Sequence, residues 1–491
     1  MGGLFYGIAA CLILFNWPER PPLDLPPALR LGGWALLCGA LYLLAIALLR
    51  NADRLGRTRR GLLALNLAVA AVSAHLLGLA ADVGAAMQTI PAALTIFAGF
   101  LLQTVPLLLL LRRAESRVMD VGRPAAYLAF HLRQYAFAAA PFALISGLMQ
   151  AATQIRAFAE PLTVWPSLWF LPLFVVVLLF FVLAPLALRF ILPARPLPTG
   201  PLRSTLERLA GAVGVRVRQI YVWRTRPLFL PNASVAGVLP QLRYVFVTDA
   251  LLEFPDDEVA AVFAHELGHA KLWHPPLYMC LAASFGAFTM WLDRALPAAT
   301  AVASVRLGVP PEALAAAAML AALALFWLVF FGWVSRRFEQ AADLFAAETV
   351  GAAPFVNALA RIEVRHGASA RAPLHWRHFP VPRRIAVLRA AASDPSARRA
   401  VVNSTTTALA LVGIVTLTLL GFYLWCLLDD FALPHDVILY RRAVAAARAG
   451  DLAEAEALAR RAHRLRPDSE TYSGLLEWLR KRRKEDAPRR R

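Results

Sequence analysis

The chain has 491 residues, of which 59% are hydrophobic and only 17% charged, with a mean hydropathy of +0.56. A soluble domain carries about a quarter charged residues, so this composition excludes an ordinary soluble protein and indicates one embedded in a membrane. The formal charge of +19 is carried almost wholly by arginine, Lys271, Lys481 and Lys484 being the only lysines. The arginines flank apolar runs, as membrane proteins require, and form no aromatic-interleaved basic face, which excludes a nucleic-acid partner. Cys11, Cys38, Cys280 and Cys426 all sit in apolar runs, against a disulfide framework or a cysteine-held metal.

A membrane span needs roughly 20 apolar residues. Runs of that kind begin near Leu4, Leu31, Leu62, Ile90, Tyr135 and Trp169, then near Leu277, Ala313 and Thr407. Segment 50–60 holds five arginines and 112–133 holds five more, while the connections near 18–30, 83–89 and 152–165 are poor in basic residues. The alternation predicts six spans in residues 1–193, with the N-terminus and the segment after Leu192 in the cytoplasm. Two further spans in 277–335 return residues 336–406 to that side, and a last span at 407–428 places 429–491 outside.

Between Pro193 and Pro276 the composition becomes that of a water-soluble module. "RSTLERLAGAVGV" has helical spacing, and "RQIYVWRT", "NASVAGVL" and "RYVFVTDALL" read as short strands. In "FPDDEVAAVFAHELGHAKLWHPP", Pro255 followed by Asp256, Asp257 and Glu258 suits a helix start. Pro275 and Pro276 predict its end by about His274. His265 and His269, four apart, then share a helical face and can present imidazole nitrogens to one ion. Glu266 stands beside them to take a proton from water. A catalytic zinc site of this kind needs a third ligand and an open fourth position. In "SRRFEQAADLFAAETVG", Glu339 and Asp343 are again four apart on a predicted helix. Paired with the upstream motif, Glu339 becomes the candidate third ligand and Asp343 the acceptor that orients a histidine N–H.

HELGH, two apolar spans and SRxxExxAD together resemble the integral-membrane zinc metallopeptidases of the HtpX and CAAX prenyl endopeptidase type. "PNASVAGVLPQLRYVFVTDALLEF" is similar to the family's Asn-Ala strand and following hairpin. "HFPVPRRIAVL" is similar to its HPxxxxRI element, with Phe379 in place of the usual proline. The resemblance covers roughly Ser204 to Arg389. It implies that His265, His269 and Glu339 ligate one zinc per chain and that Glu266 is the general base. His378 would stabilise the oxyanion, Arg384 would support the cleft, and Asn232, Ala233, Ser234 and Val235 would bind an extended peptide by edge addition. His274 stays outside this ligand set.

The tail "AVAAARAGDLAEAEALARRAHRLRPDSETYSGLLEWL" resembles a single tetratricopeptide-like hairpin, ending in the basic run "RKRRKEDAPRRR". One such unit does not bury its face alone, so it is a candidate surface for a protein partner. The fold class expected is mainly α: a polytopic α-helical membrane protein with a small α+β zincin-like metalloprotease module, formed from residues 194–276 and 336–406. The function expected is zinc-dependent endopeptidase action on membrane or membrane-proximal polypeptides, with protein quality control as its setting and a bacterial inner membrane as its site. The alternatives are a metal-binding sensor or scaffold built on a protease core, and narrow CAAX-type processing.

Overall fold

The computed structural model describes residues 25–50, 55–79, 82–83, 89–117, 121, 123–225, 231–309, 311–366 and 378–486. The apolar run near Leu4 lies outside them. The chain divides into two compact units, one of 1–143, 177–282 and 294–414, the other of 144–176, 283–293 and 415–491.

The first unit begins with four helices: α1 (Pro27–Leu48), α2 (Leu55–Ala71), α3 (Thr89–Glu115) and α4 (Pro124–Gln154). Leu41, Leu62, Leu107, Leu108, Leu111 and Tyr135 are buried between them. Several polar groups inside this bundle bond to one another, as a low-dielectric interior favours. Gln103 donates to Asn66 Oδ1 at 2.9 Å and accepts from Trp34 Nε1 at 3.0 Å, and Asn66 donates to Thr104 at 3.0 Å.

After α6 (Phe170–Ile191), which follows the nine-residue α5 (Arg156–Val164), the chain enters a four-stranded mixed sheet. Its strands are β1 (Ala194–Pro196), β2 (Gln219–Trp223), β3 (Ala233–Ala236) and β4 (Tyr244–Thr248), in the order β1-β2-β4-β3. β2 runs parallel to β4, while β3 lies antiparallel to β4 as an edge strand, Ser234 opposite Phe246. Helix α7 (Pro201–Ala212) joins β1 to β2. Every residue of β4 is buried, because the strand is flanked on both edges and covered by α8 (Asp256–Lys271).

Past α8 come α9 (His274–Leu307), α10 (Pro311–Ala324), α11 (Gly332–Val350), α12 (Ala352–His366), α13 (Val381–Ser393) and α14 (Pro395–Phe431). Pro275 and Pro276 fall in the first turn of α9, where a missing N–H costs nothing, so they begin a helix directly after the one they end. Among the described residues, five helices are long and apolar enough to cross a membrane: Pro27–Leu48, Thr95–Glu115, Pro166–Ile191, Ala317–Val350 and Pro395–Phe431. They carry the runs near Leu31, Ile90, Trp169, Ala313 and Thr407. The runs near Leu62, Tyr135 and Leu277 also form helices, α2, α4 and α9, that are not among these five. Arg57, Arg59 and Arg60 fall in the first turns of α2, and Asp293 and Arg294 interrupt the apolar run of the α9 sequence.

In the second unit the tail forms three helices, α15 (His435–Arg448), α16 (Leu452–Leu465) and α17 (Glu470–Asp486). Ala443, Ala455, Ala459, Leu476 and Leu479 form their shared core. Asp451 caps α16 by accepting from Glu454 N at 3.0 Å. Short α5 supplies a further neighbour: Arg441 donates to Val164 O at 2.6 Å, and Arg442 pairs with Glu160 at 3.1 Å. The tail is therefore a three-helix unit docked on α5 and not a free hairpin.

Candidate metal centre

Helices α8 and α11 cross at the centre of the first unit, and the crossing depends on Gly268. A Cβ there would meet Phe345 Cδ1 at 3.0 Å and the Ala342 Cα at 3.2 Å. Backbone cannot yield as a flexible side chain can, so Gly268→Val is expected to destabilise by about 1–3 kcal/mol through overpacking. Thermal unfolding of the detergent-solubilised protein reads this directly. The near approach brings the His265 and His269 face of α8 against Glu339 and Asp343 of α11. Glu258, in the first turn of α8, receives a two-pronged contact from Arg361 of α12 at 2.8 and 2.9 Å.

His265, His269 and Glu339 each offer a ligand atom, all within 4.8 Å of one another. His265 Nε2 lies 3.2 Å from His269 Nε2 and 3.4 Å from Glu339 Oε2, and His269 Nε2 lies 3.6 Å from Glu339 Oε1. Ligands about 2.0–2.2 Å from a tetrahedral ion sit about 3.4 Å from each other. The spacing and the two-nitrogen, one-carboxylate donor set therefore fit zinc.

The surrounding groups hold these side chains. His265 Nδ1 approaches Asp343 Oδ1 at 2.9 Å, off the line of a regular hydrogen bond. Arg384 of α13 grips Asp343 through Nε at 2.8 Å and Nη2 at 2.5 Å. His269 turns its Nδ1 to His274 Nδ1 at 2.8 Å, and the His274 ring stacks on Phe338 with centroids 4.3 Å apart. His274 reaches this place because Trp273 adopts a left-handed conformation, φ 60°, a strained choice for a bulky residue. Sequence reasoning left His274 outside the ligand set; its signals were its place just past the motif, before two prolines, and the resemblance, in which such a histidine is common. His378 Nδ1 lies 3.1 Å from Glu339 Oε2, with its side chain 49% exposed.

Glu266 Oε2 accepts from Val235 N at 2.8 Å, so the edge strand β3 touches the candidate base through its backbone. Thr248 N donates to Asn232 O at 2.9 Å, which turns alternate groups of β3 toward β4 and leaves those of Ala233 and Val235 facing outward. Asn232 precedes the strand and is exposed, and Ser234 faces β4. Gly237 ends β3 with φ 116°; a Cβ there would collide with the carbonyl of Leu242 and approach the Arg243 Cα at 2.7 Å.

Burial pulls the His265 pKa down, but Asp343 and Glu339 outweigh it and raise it to about 10. Arg384 is buried, yet the Asp343 carboxylate beside it raises its pKa further. The proton on His265 competes with a metal for Nε2. A folded pKa above the ordinary 6.5 keeps that proton in place at neutral pH, so zinc affinity rises with pH. Chelator competition is expected to show affinity falling as pH drops, by up to about tenfold per unit.

Residues 196–392 match Peptidase family M48. The chain is 28% identical over 200 residues to Protease HtpX of Pseudomonas putida (strain W619), covering 37% of this chain and 61% of the relative. It is 29% identical over 234 residues to CAAX prenyl protease 1 homolog of Arabidopsis thaliana, covering 45% of this chain and 54% of that one. The crystal structure of S. mikatae Ste24p superposes with a TM-score of 0.52 at 15% identity, over 75% of this chain and 100% of that chain. That likeness concerns the fold. The chain thus spans about three fifths of the length of the HtpX relative it matches.

Proposed function

We propose that this chain, whose residues 196–392 match peptidase family M48, is an integral-membrane, zinc-dependent endopeptidase acting on membrane or membrane-proximal polypeptides. The observation that carries the reading is the tetrahedral-sized spacing of His265, His269 and Glu339 with Glu266 bonded to the adjacent edge strand.

His265, His269 and Glu339 would hold one zinc, with Asp343 orienting His265 and Arg384 fixing Asp343. When bound, zinc supplies Lewis acidity that polarises a carbonyl and acidifies water. An extended peptide pairs with the outward backbone of Ala233 and with the Val235 carbonyl, beside Asn232 and Ser234, which demands little of its sequence. Val235 N–H steadies Glu266 Oε2 and leaves Oε1 to take the proton of the attacking water and pass it to the leaving amine. His378 donates to the developing oxyanion. Its ring is half-exposed and stands 3.1 Å from Glu339 Oε2, which supports that role.

The substrates fit this placement: the peptidase domain continues directly into helices apolar enough to lie in the bilayer. The arginine-rich connections favour a cytoplasmic site in a bacterial inner membrane. The tail is assigned to the opposite side, together with the 156–164 connection to which Arg441 and Arg442 bond. A cysteine introduced at Ser473 is expected to react with an impermeant reagent added outside cells, and one at Ser204 only after permeabilisation.

The enzyme reading is tested by purifying the chain in detergent with zinc and following cleavage of an unfolded polypeptide. Cleavage abolished by a chelator and restored by zinc supports it. Bound zinc without cleavage of any polypeptide favours the sensor or scaffold.

A further inference from the structure

Beside His378, three arginines from two helices converge on one aromatic ring. The guanidinium of Arg383 lies 4.1 Å from the Phe379 ring centroid, that of Arg337 lies 5.7 Å and that of Arg336 lies 5.8 Å from it. Arg336 and Arg337 come from α11, three and two residues before Glu339, and Arg383 comes from α13 next to Arg384. Arg384 is neutralised by Asp343. Arg337 donates only to the neutral Gln340 side chain, at 2.9 Å, and its buried Nε has no partner among the described residues. Arg383, exposed, faces no carboxylate in ion-pair range among the described residues.

Three like charges around one ring repel one another, and the ring quadrupole offsets only part of that. Such an arrangement gains most when an anion enters, and the planar guanidinium suits a carboxylate held by two bonds. Arg336 and Arg337 alone would read as arginines at the end of an apolar span, facing lipid phosphate. Arg383 changes the reading, because it belongs to the peptidase domain, and the shared ring is covalently next to His378.

We propose that Arg336, Arg337 and Arg383, gathered on Phe379, form a subsite for a carboxylate of the polypeptide substrate, so that the chain selects peptides with acidic groups near the cleaved bond. This rests on the endopeptidase reading of the same site. The carboxylate is an Asp or Glu side chain, or the peptide's own C-terminus; peptides with amidated and free C-termini separate the two.

The test uses the full chain in detergent with two fluorescent peptides, alike except that Glu residues in one are Gln in the other. Two readouts are taken: cleavage by the zinc-loaded protein and anisotropy of peptide binding with zinc chelated. The wild type is expected to favour the acidic peptide by roughly tenfold in both, as charge-assisted hydrogen bonds do, and added salt is expected to shrink the gap. In Arg337→Gln with Arg383→Gln, the two peptides are expected to become equal. Equal treatment by the wild type of the Glu and Gln peptides, together with equal treatment of amidated and free C-termini, overturns the proposal, as does a preference that survives the double variant. A double variant that instead loses only its binding to phosphatidylglycerol vesicles overturns it in favour of lipid phosphate. If neither peptide is cut, the endopeptidase reading fails, while the anisotropy comparison still decides the arginine subsite.

Discussion

Glu266→Gln is expected to leave one zinc per chain in place and to cut the rate of peptide hydrolysis by about 10²–10⁴. The side chain is not a metal ligand; its Oε2 accepts a backbone N–H from Val235, and a Gln oxygen can keep that bond. What Gln cannot do is take a proton from water. Metal content by atomic absorption and cleavage of an unfolded polypeptide, measured on the same preparation, separate the two properties. A variant that loses its zinc would mean that Glu266 helps hold the ion, and one that cuts normally would place the base elsewhere.

The second large effect is loss of the metal itself. His265→Ala and Glu339→Gln each remove one of the three proposed ligands, and a catalytic site with three protein ligands does not hold zinc firmly on two. Zinc after gel filtration should fall from one per chain to nearly none, with no cleavage remaining. Glu339→Gln keeps the side-chain volume at a buried position, so helix content by circular dichroism should be retained; a collapse of helicity would assign Glu339 to folding. Arg384→Gln acts one step further out. It frees Asp343 from its clamp, and zinc affinity should weaken about 10–100-fold.

Much of this site was legible in the chain because its parts are local. His265, Glu266 and His269 fall within one turn of a helix whose start is written by Pro255 and three acidic residues, and Glu339 and Asp343 obey the same four-residue spacing. The strand readings also rested on local alternation, and the structure forms β2, β3 and β4 within them. Arg384 and His378 were different: in the sequence they are ordinary members of a basic loop, and only resemblance singled them out. The bond from Val235 to Glu266 left no trace in the sequence, since it joins an edge strand to a helix 31 residues on. Likewise, Pro275 and Pro276 announce the end of α8 but not that they open α9, whose first residue orients His269.

By itself, then, the sequence determined the membrane class and the helical faces and singled out the candidate donors, because hydropathy and a 3.6-residue repeat act over short distances. Only the tertiary structure decided which donors meet. His265 and Glu339 are 74 positions apart, and their 3.4 Å approach is made where two helices come close at Gly268, whose added Cβ would be in tight contact with Phe345 and Ala342. The three arginines around Phe379 likewise belong to segments that local pattern cannot bring together. Their mutual repulsion is tolerated because the packing of α11 and α13 fixes the backbone that carries them.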